Sequence, residues 1–248
     1  MAIIQQSSSN PAFSNKVFEK INYASNESLM TVQGTVNKSF LMILLLVVSA
    51  AYTWGNYYDG GSIMPLMLLG GIGGFVVALI TMFKVSWSPI TAPLYAALEG
   101  LFLGGLSATM DAMYPGIVIQ AVALTFGTLF GMLFLYKTGI IKVTQKFRSG
   151  LLAATGGIFF VYLLSWILGM FGIGIPMIHE GGLIGIGFSL FVVVIAALNL
   201  VLDFDFIHKS SGMGAPKYME WYGAFGLMVT LVWLYIEFLR LLSKLNRD

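Results

Sequence analysis

From residue 38 onward, long apolar stretches alternate with short polar breaks, and each stretch is apolar throughout instead of alternating residue by residue. Unbroken runs near twenty residues suit α-helices that cross a bilayer, whereas a barrel strand would alternate with period two. The pattern predicts seven spans, near Val36–Trp54, Ile63–Phe83, Ile90–Thr109, Gly116–Tyr136, Gly150–Phe171, Leu183–His208 and Met219–Leu242. The expected fold class is all-α: a polytopic membrane protein, a seven-transmembrane-helix bundle. Ser88-Pro89 and Pro93 fall where the third helix begins, where a missing backbone donor is tolerated. Residues 1–37 read as a polar N-terminal tail, rich in serine and asparagine, preceding a transmembrane domain over 38–248. Phe13, Val17 and Ile21 recur every fourth residue, as in a short helix lying on the membrane surface, with a disordered tail as the alternative. The tail lacks a cationic segment followed by a short apolar core, so it is not expected to be a cleaved signal peptide.

Composition sharpens this picture. Charged residues make up 10% of the 248 and hydrophobic ones 58%, where a soluble chain carries roughly 25% charged residues. About 140 residues, roughly seven spans of twenty, account for the apolar excess. With no cysteine, disulfides, thiolate metal sites and thiol nucleophiles are excluded. A net charge of +2 without a dense basic run gives no reason to expect nucleic acid as a partner.

The cations predict orientation. Lys16, Lys20, Lys38, Lys84, Lys137, Lys142, Lys146, Arg148, Lys209 and Lys217 fall in the tail and the even connections, and the odd connections carry no lysine or arginine. The N-terminus is therefore expected in the cytoplasm. Lys244 and Arg247 conflict with this: seven full crossings put them on the far side, so either the bias elsewhere overrides them or the last helix stops short. Seven crossings are the favoured reading. Glycines within the spans, including Gly70, Gly74, Gly100, Gly104, Gly127 and Gly131, suggest close helix packing. None forms a phosphate loop, and no resident cofactor is expected.

An ionisable group at membrane depth costs about 2.5–3.5 kcal/mol on insertion scales, yet Glu99, Asp203, Asp205, Glu220 and Glu237 lie in or against the spans. Gly185, Ser189, Val192, Ala196, Asn199 and Asp203 follow steps of four and three, forming one small-and-polar seam. Gly223, Gly226, Thr230, Trp233, Glu237, Arg240 and Lys244 form another, which predicts a last helix inside the bundle. Three readings remain open for these acids. They are structural, with Glu237 bound to Arg240 a turn away; or two carboxylates share a proton and act as a switch; or ionised carboxylates supply the oxygen ligands of a calcium path. Catalysis is not expected. A serine protease needs a facing histidine base and a zinc protease needs paired histidines, but His179 and His208 both lie in or beside connections.

Ala-Leu-Glu-Gly at 97–100, Leu-Asp-Phe-Asp-Phe-Ile at 202–207 and Trp-Leu-Tyr-Ile-Glu-Phe-Leu-Arg-Leu-Leu at 233–242 resemble the Bax inhibitor motif family, in its bacterial YccA-like branch. The likeness covers roughly residues 38–245. It implies a seven-helix bundle with the last helix central, acting in the bacterial inner membrane as a pH-sensitive calcium leak channel. It further implies a proton-sensing pair, with Asp203 in the first position and Glu237 in the second, where the family has aspartate. The family's latching arginine between the second and third helices is missing; Lys84 is the nearby cation there, and Arg240 is a second latch candidate. Straight helices instead bring Asp203 and Asp205 level with residues 220–225, which favours Glu220 as partner. Asn199 and Thr230 line the seams, and calcium near Asp203 would be transported cargo. The alternative function is a non-transporting regulator that binds other membrane proteins, such as a membrane-bound protease.

Overall fold

The structure, a computed structural model, describes residues 29–172 and 182–246; the expected surface helix around Val17, and His179, lie outside the described residues. Among the described residues there are seven long helices: α1 (Val32–Tyr58), α2 (Met64–Phe83), α3 (Ser88–Met113), α4 (Ile117–Lys137), α5 (Gln145–Met170), α6 (Leu183–Gly212) and α7 (Met219–Leu245). All seven are long and apolar enough to cross a membrane. Even α2, with 20 residues, rises about 30 Å, the thickness of a hydrocarbon core.

Helix ends differ from the hydropathy boundaries because caps, not apolarity, decide where a helix stops. α1 begins at Val32 instead of Val36, since the Thr31 hydroxyl accepts the Gly34 amide at 2.9 Å. Residues 32–37, which composition assigns to the tail, are thus the first turns of α1. α5 starts at Gln145, five residues before its apolar run, because Thr144 caps the Phe147 amide at 3.2 Å. In α3, Pro89 occupies the first turn, whereas Pro93 lies inside the helix.

α7 is the central helix. It packs against α1, α3, α4 and α6, and Phe225, Met228, Leu234, Leu239 and Leu241 bury its surface on several sides. α2 leans on α3 and α5 on α6, each keeping bulky side chains such as Phe75 and Phe159 outward, where lipid would lie. Small residues bring α1 onto α3: a Cβ at Gly104 would collide with the carbonyl of Ala50, and one at Gly100 with Leu46. Gly127 and Gly131 of α4 depart from the packing expectation, with nothing within 4 Å of where their Cβ atoms would stand.

Successive helices joined by short connections run antiparallel, so Lys38, Lys84, Lys137, Arg148, Lys209 and Lys217 gather at one end of the bundle. The chain entering α1 is pinned there to the α6–α7 connection. Leu29 bridges Pro216, and the Met30 amide donates to the Ala215 carbonyl at 2.8 Å. α7 traverses the bundle fully. Lys244, which the cation count leaves on the wrong side, is buried instead, donating to the Gly185 carbonyl and the Ser189 hydroxyl at 2.9 Å each.

Candidate functional site

Three carboxyl groups are set along α7 at three depths. Glu220 is at the cation-bearing end, in the first turn of α7, with its side chain inaccessible to solvent. Lys38 of α1 pairs with one of its oxygens; Lys217 pairs with the other at 2.8 Å, and the Thr31 amide and hydroxyl donate to that same oxygen at 2.9 Å each. Gly34 leaves the space, since a Cβ there would overlap the carboxylate. Lys38 also sits 5.4 Å from the centre of the Trp221 ring. All of this makes Glu220 a clasp between the start of α1 and the start of α7.

Glu237 lies seventeen residues further on, about 25 Å along the axis. Its two oxygens accept the Tyr162 hydroxyl of α5 at 3.1 Å each, and Arg240 reaches them at 3.1 and 3.5 Å. The same guanidinium stacks 4.7 Å from the centre of the Tyr162 ring, so carboxylate, phenol and guanidinium hold one another.

Asp203 lies between these two depths and is bonded to neither glutamate. Its Oδ1 points toward Gly226, 3.9 Å from where a Cβ there would stand, and the Thr230 hydroxyl, a turn further along α7, donates to the Gly226 carbonyl at 3.3 Å. Its Oδ2 is the one buried side-chain polar atom without a hydrogen-bond partner among the described residues. The expected pairings Asp203–Glu237 and Asp203–Glu220 are both absent. Helix rise explains why: Asp203 is level with residues 226–230, about 9 Å beyond Glu220 and about 10 Å short of Glu237. Asp205, on another side of α6, is buried and ion-paired with Lys209 at 2.7 Å and Arg148 at 3.2 Å.

The Glu99 carboxylate of α3 lies against Gly74 of α2. Glu99 lines a cavity of about 480 Å³ together with Tyr95, Phe102, Phe225, Gly226 and Val229, and Gly226 is also the residue that Asp203 Oδ1 faces. Lys84 closes the end of α2 and forms no ion pair among the described residues, while Arg240 serves Glu237 and does not reach Asp203. Asn199, one turn before Asp203, donates to the Thr155 hydroxyl at 2.9 Å. No group of three or more His, Cys, Asp or Glu able to hold a metal ion occurs among the described residues.

The profile describing Bax inhibitor 1-like proteins matches residues 10–247, nearly the whole chain. The chain belongs to the Bax inhibitor 1-like family. No curated protein and no solved structure matches it.

In this Bax inhibitor 1-like chain, several residues that build the site are not evident in the sequence pattern. Lys38 reads as an orientation marker but is the counter-ion of Glu220. Tyr162 reads as one more bulky residue in an apolar span but is a ligand of Glu237. A phenol in the middle of a lipid-crossing helix needs a partner for its hydroxyl, and that requirement was the available signal.

Proposed function

We propose that this family member is a pH-sensitive cation leak channel, with calcium as cargo and Asp203 as the group whose protonation controls it. The supporting observation is the half-buried Asp203 carboxyl at mid-depth, whose buried Oδ2 no protein donor occupies. The other two carboxyl groups along α7, Glu220 and Glu237, are held by cations at its two ends. A structural acid would be satisfied in the same way, whereas an acid serving a passing ion has to keep an oxygen free. Ionised, Asp203 offers calcium an oxygen ligand beside the cavity lined by Glu99; protonated, it does not. The charges around it on the neighbouring elements are Glu99, which shares its cavity with Gly226, and, a few residues toward the cation-bearing end, Asp205 with Arg148 and Lys209.

This reading replaces the paired-carboxylate switch with a single unpartnered acid. The sequence resemblance supports the leak activity, placement in the YccA-like branch and a bacterial inner-membrane location. The one-sided cations support a cytoplasmic N-terminus. Purified protein in proteoliposomes, loaded with a calcium indicator and scanned from pH 5 to 8, tests the reading. Calcium entry above that of empty vesicles, rising with pH, is expected. Correctly folded protein that passes no calcium at any pH rejects the channel and leaves the non-transporting regulator.

A further inference from the structure

A second cavity, independent of the carboxylates on α7, lies toward the opposite end of the bundle from Lys38 and Lys84. α1 and α4 both pack on α7 and α3, but between them a slot of about 540 Å³ stays open, within the roughly 300–1,000 Å³ range of small-molecule sites. Its walls are apolar: Val47 and Ala51 of α1, Val122 and Phe126 of α4, and Leu231 of α7 are among them. Gly104, where α1 and α3 approach closely, and Ala50 both line it. The slot is open sideways, because Val47 and Val122 are exposed where lipid would lie.

Three polar features converge on this apolar space. Ser107 and Tyr235, both in its wall, share a buried hydrogen bond of 2.6 Å. Asp111, one turn beyond Ser107, lines the slot and has no ion-pair partner among the described residues. Its Oδ1 accepts the Gly116 amide at 3.0 Å and its Oδ2 faces the Tyr58 hydroxyl at 3.5 Å. Trp54 lines the slot as well and meets Tyr58 at a tilt of 41°, with ring centres 5.6 Å apart. A carboxylate without a counter-ion, set beside aromatic rings at the end of an apolar slot, is complementary to a cation carried on an apolar body. Residues 59–63 and 114–116, the connections beside it, contain no lysine or arginine, and the cations near the end of α7 are engaged elsewhere, Arg240 with Glu237 and Lys244 with Gly185 and Ser189.

We infer that the slot between α1 and α4 binds a lipophilic monocation, entering sideways from the bilayer, with its charge at Asp111 and its apolar body against α7. An ordinary acyl chain would fill the apolar part but has no charge for Asp111. The site does not depend on the leak reading, and its test measures binding alone.

Tetraphenylphosphonium is the probe, with tetraphenylborate as an anion of nearly the same size and shape. Binding is measured by equilibrium dialysis against the whole protein in nanodiscs, with empty nanodiscs as reference. Saturable binding of one phosphonium per chain is expected, with no saturable binding of the borate. Asp111→Asn keeps an oxygen for the Gly116 amide and removes the charge, and should weaken phosphonium binding at least ten-fold. Ala51→Trp fills the slot and should abolish it. Phosphonium uptake no greater than in empty nanodiscs, equal binding of the borate, or unchanged affinity in Asp111→Asn would each overturn the inference. The phosphonium–borate comparison needs no variant, so it decides the matter even if a substitution harms folding.

Discussion

Replacing Glu220 by glutamine removes one negative charge from a site where two ammonium groups, one amide and one hydroxyl converge. Glutamine keeps an oxygen for Thr31 but presents its own N–H groups to a lysine. Lys38 is mostly shielded, with 18% of its side chain exposed, so its charge-assisted bond is worth roughly 1.5–3 kcal/mol. Lys217 is 45% exposed, and its pair is worth under about 1 kcal/mol after solvent screening. The sum, about 2–4 kcal/mol, falls on one local structure, the clasp joining residues 29–31 to the α6–α7 connection. At about 1.4 kcal/mol per factor of ten, opening of that clasp becomes about 30- to 1,000-fold more frequent. Hydrogen exchange of nanodisc-embedded protein reads this at the Met30 amide, bonded to Ala215, and at the Thr31 amide, bonded to Glu220. Exchange in the middle of α6 should be unchanged. An acceleration below about three-fold at Met30 and Thr31 would refute the reasoning and reduce Glu220 to an ordinary surface pair.

Tyr162→Phe should lower thermal stability in detergent by about 1–3 kcal/mol, because it leaves Glu237 without the donor from α5; an unchanged melting temperature would count against that triad. Gly104→Ala should destabilise markedly, since the added carbon meets the Ala50 carbonyl, while Gly127→Ala should be neutral or stabilising by up to about 1 kcal/mol. Similar melting shifts for the two would show that the α1–α3 approach is not close.

Hydropathy was enough to find all seven helices, because lipid forces each span to be long, apolar and internally hydrogen-bonded, while the seam of small and polar residues and the family resemblance indicated the central position of α7. It misplaced the starts of α1 and α5, where Thr31 and Thr144 cap polar turns that extend past the apolar run. Charge located the acids and, through helical spacing, the Arg240 partner of Glu237, but not the Lys38 and Tyr162 partners supplied by other helices. Period along a helix tells which residues share a face, and only the three-dimensional stagger of α6 against α7 puts Asp203 beside Gly226 and Thr230. The same holds for Lys244: on α7 alone it is an ill-placed cation, and the nearby start of α6 turns it into a buried donor.

The central claim is that one unpartnered acid, and not a pair, makes the leak depend on pH. Calcium flux into proteoliposomes across pH 5 to 8, comparing the unmodified protein with Asp203→Asn and Glu237→Gln, tests it most directly. The account predicts a flux that rises with pH in the unmodified protein, keeps that slope in Glu237→Gln, and becomes low and flat in Asp203→Asn. An unaltered pH dependence in folded Asp203→Asn would contradict it.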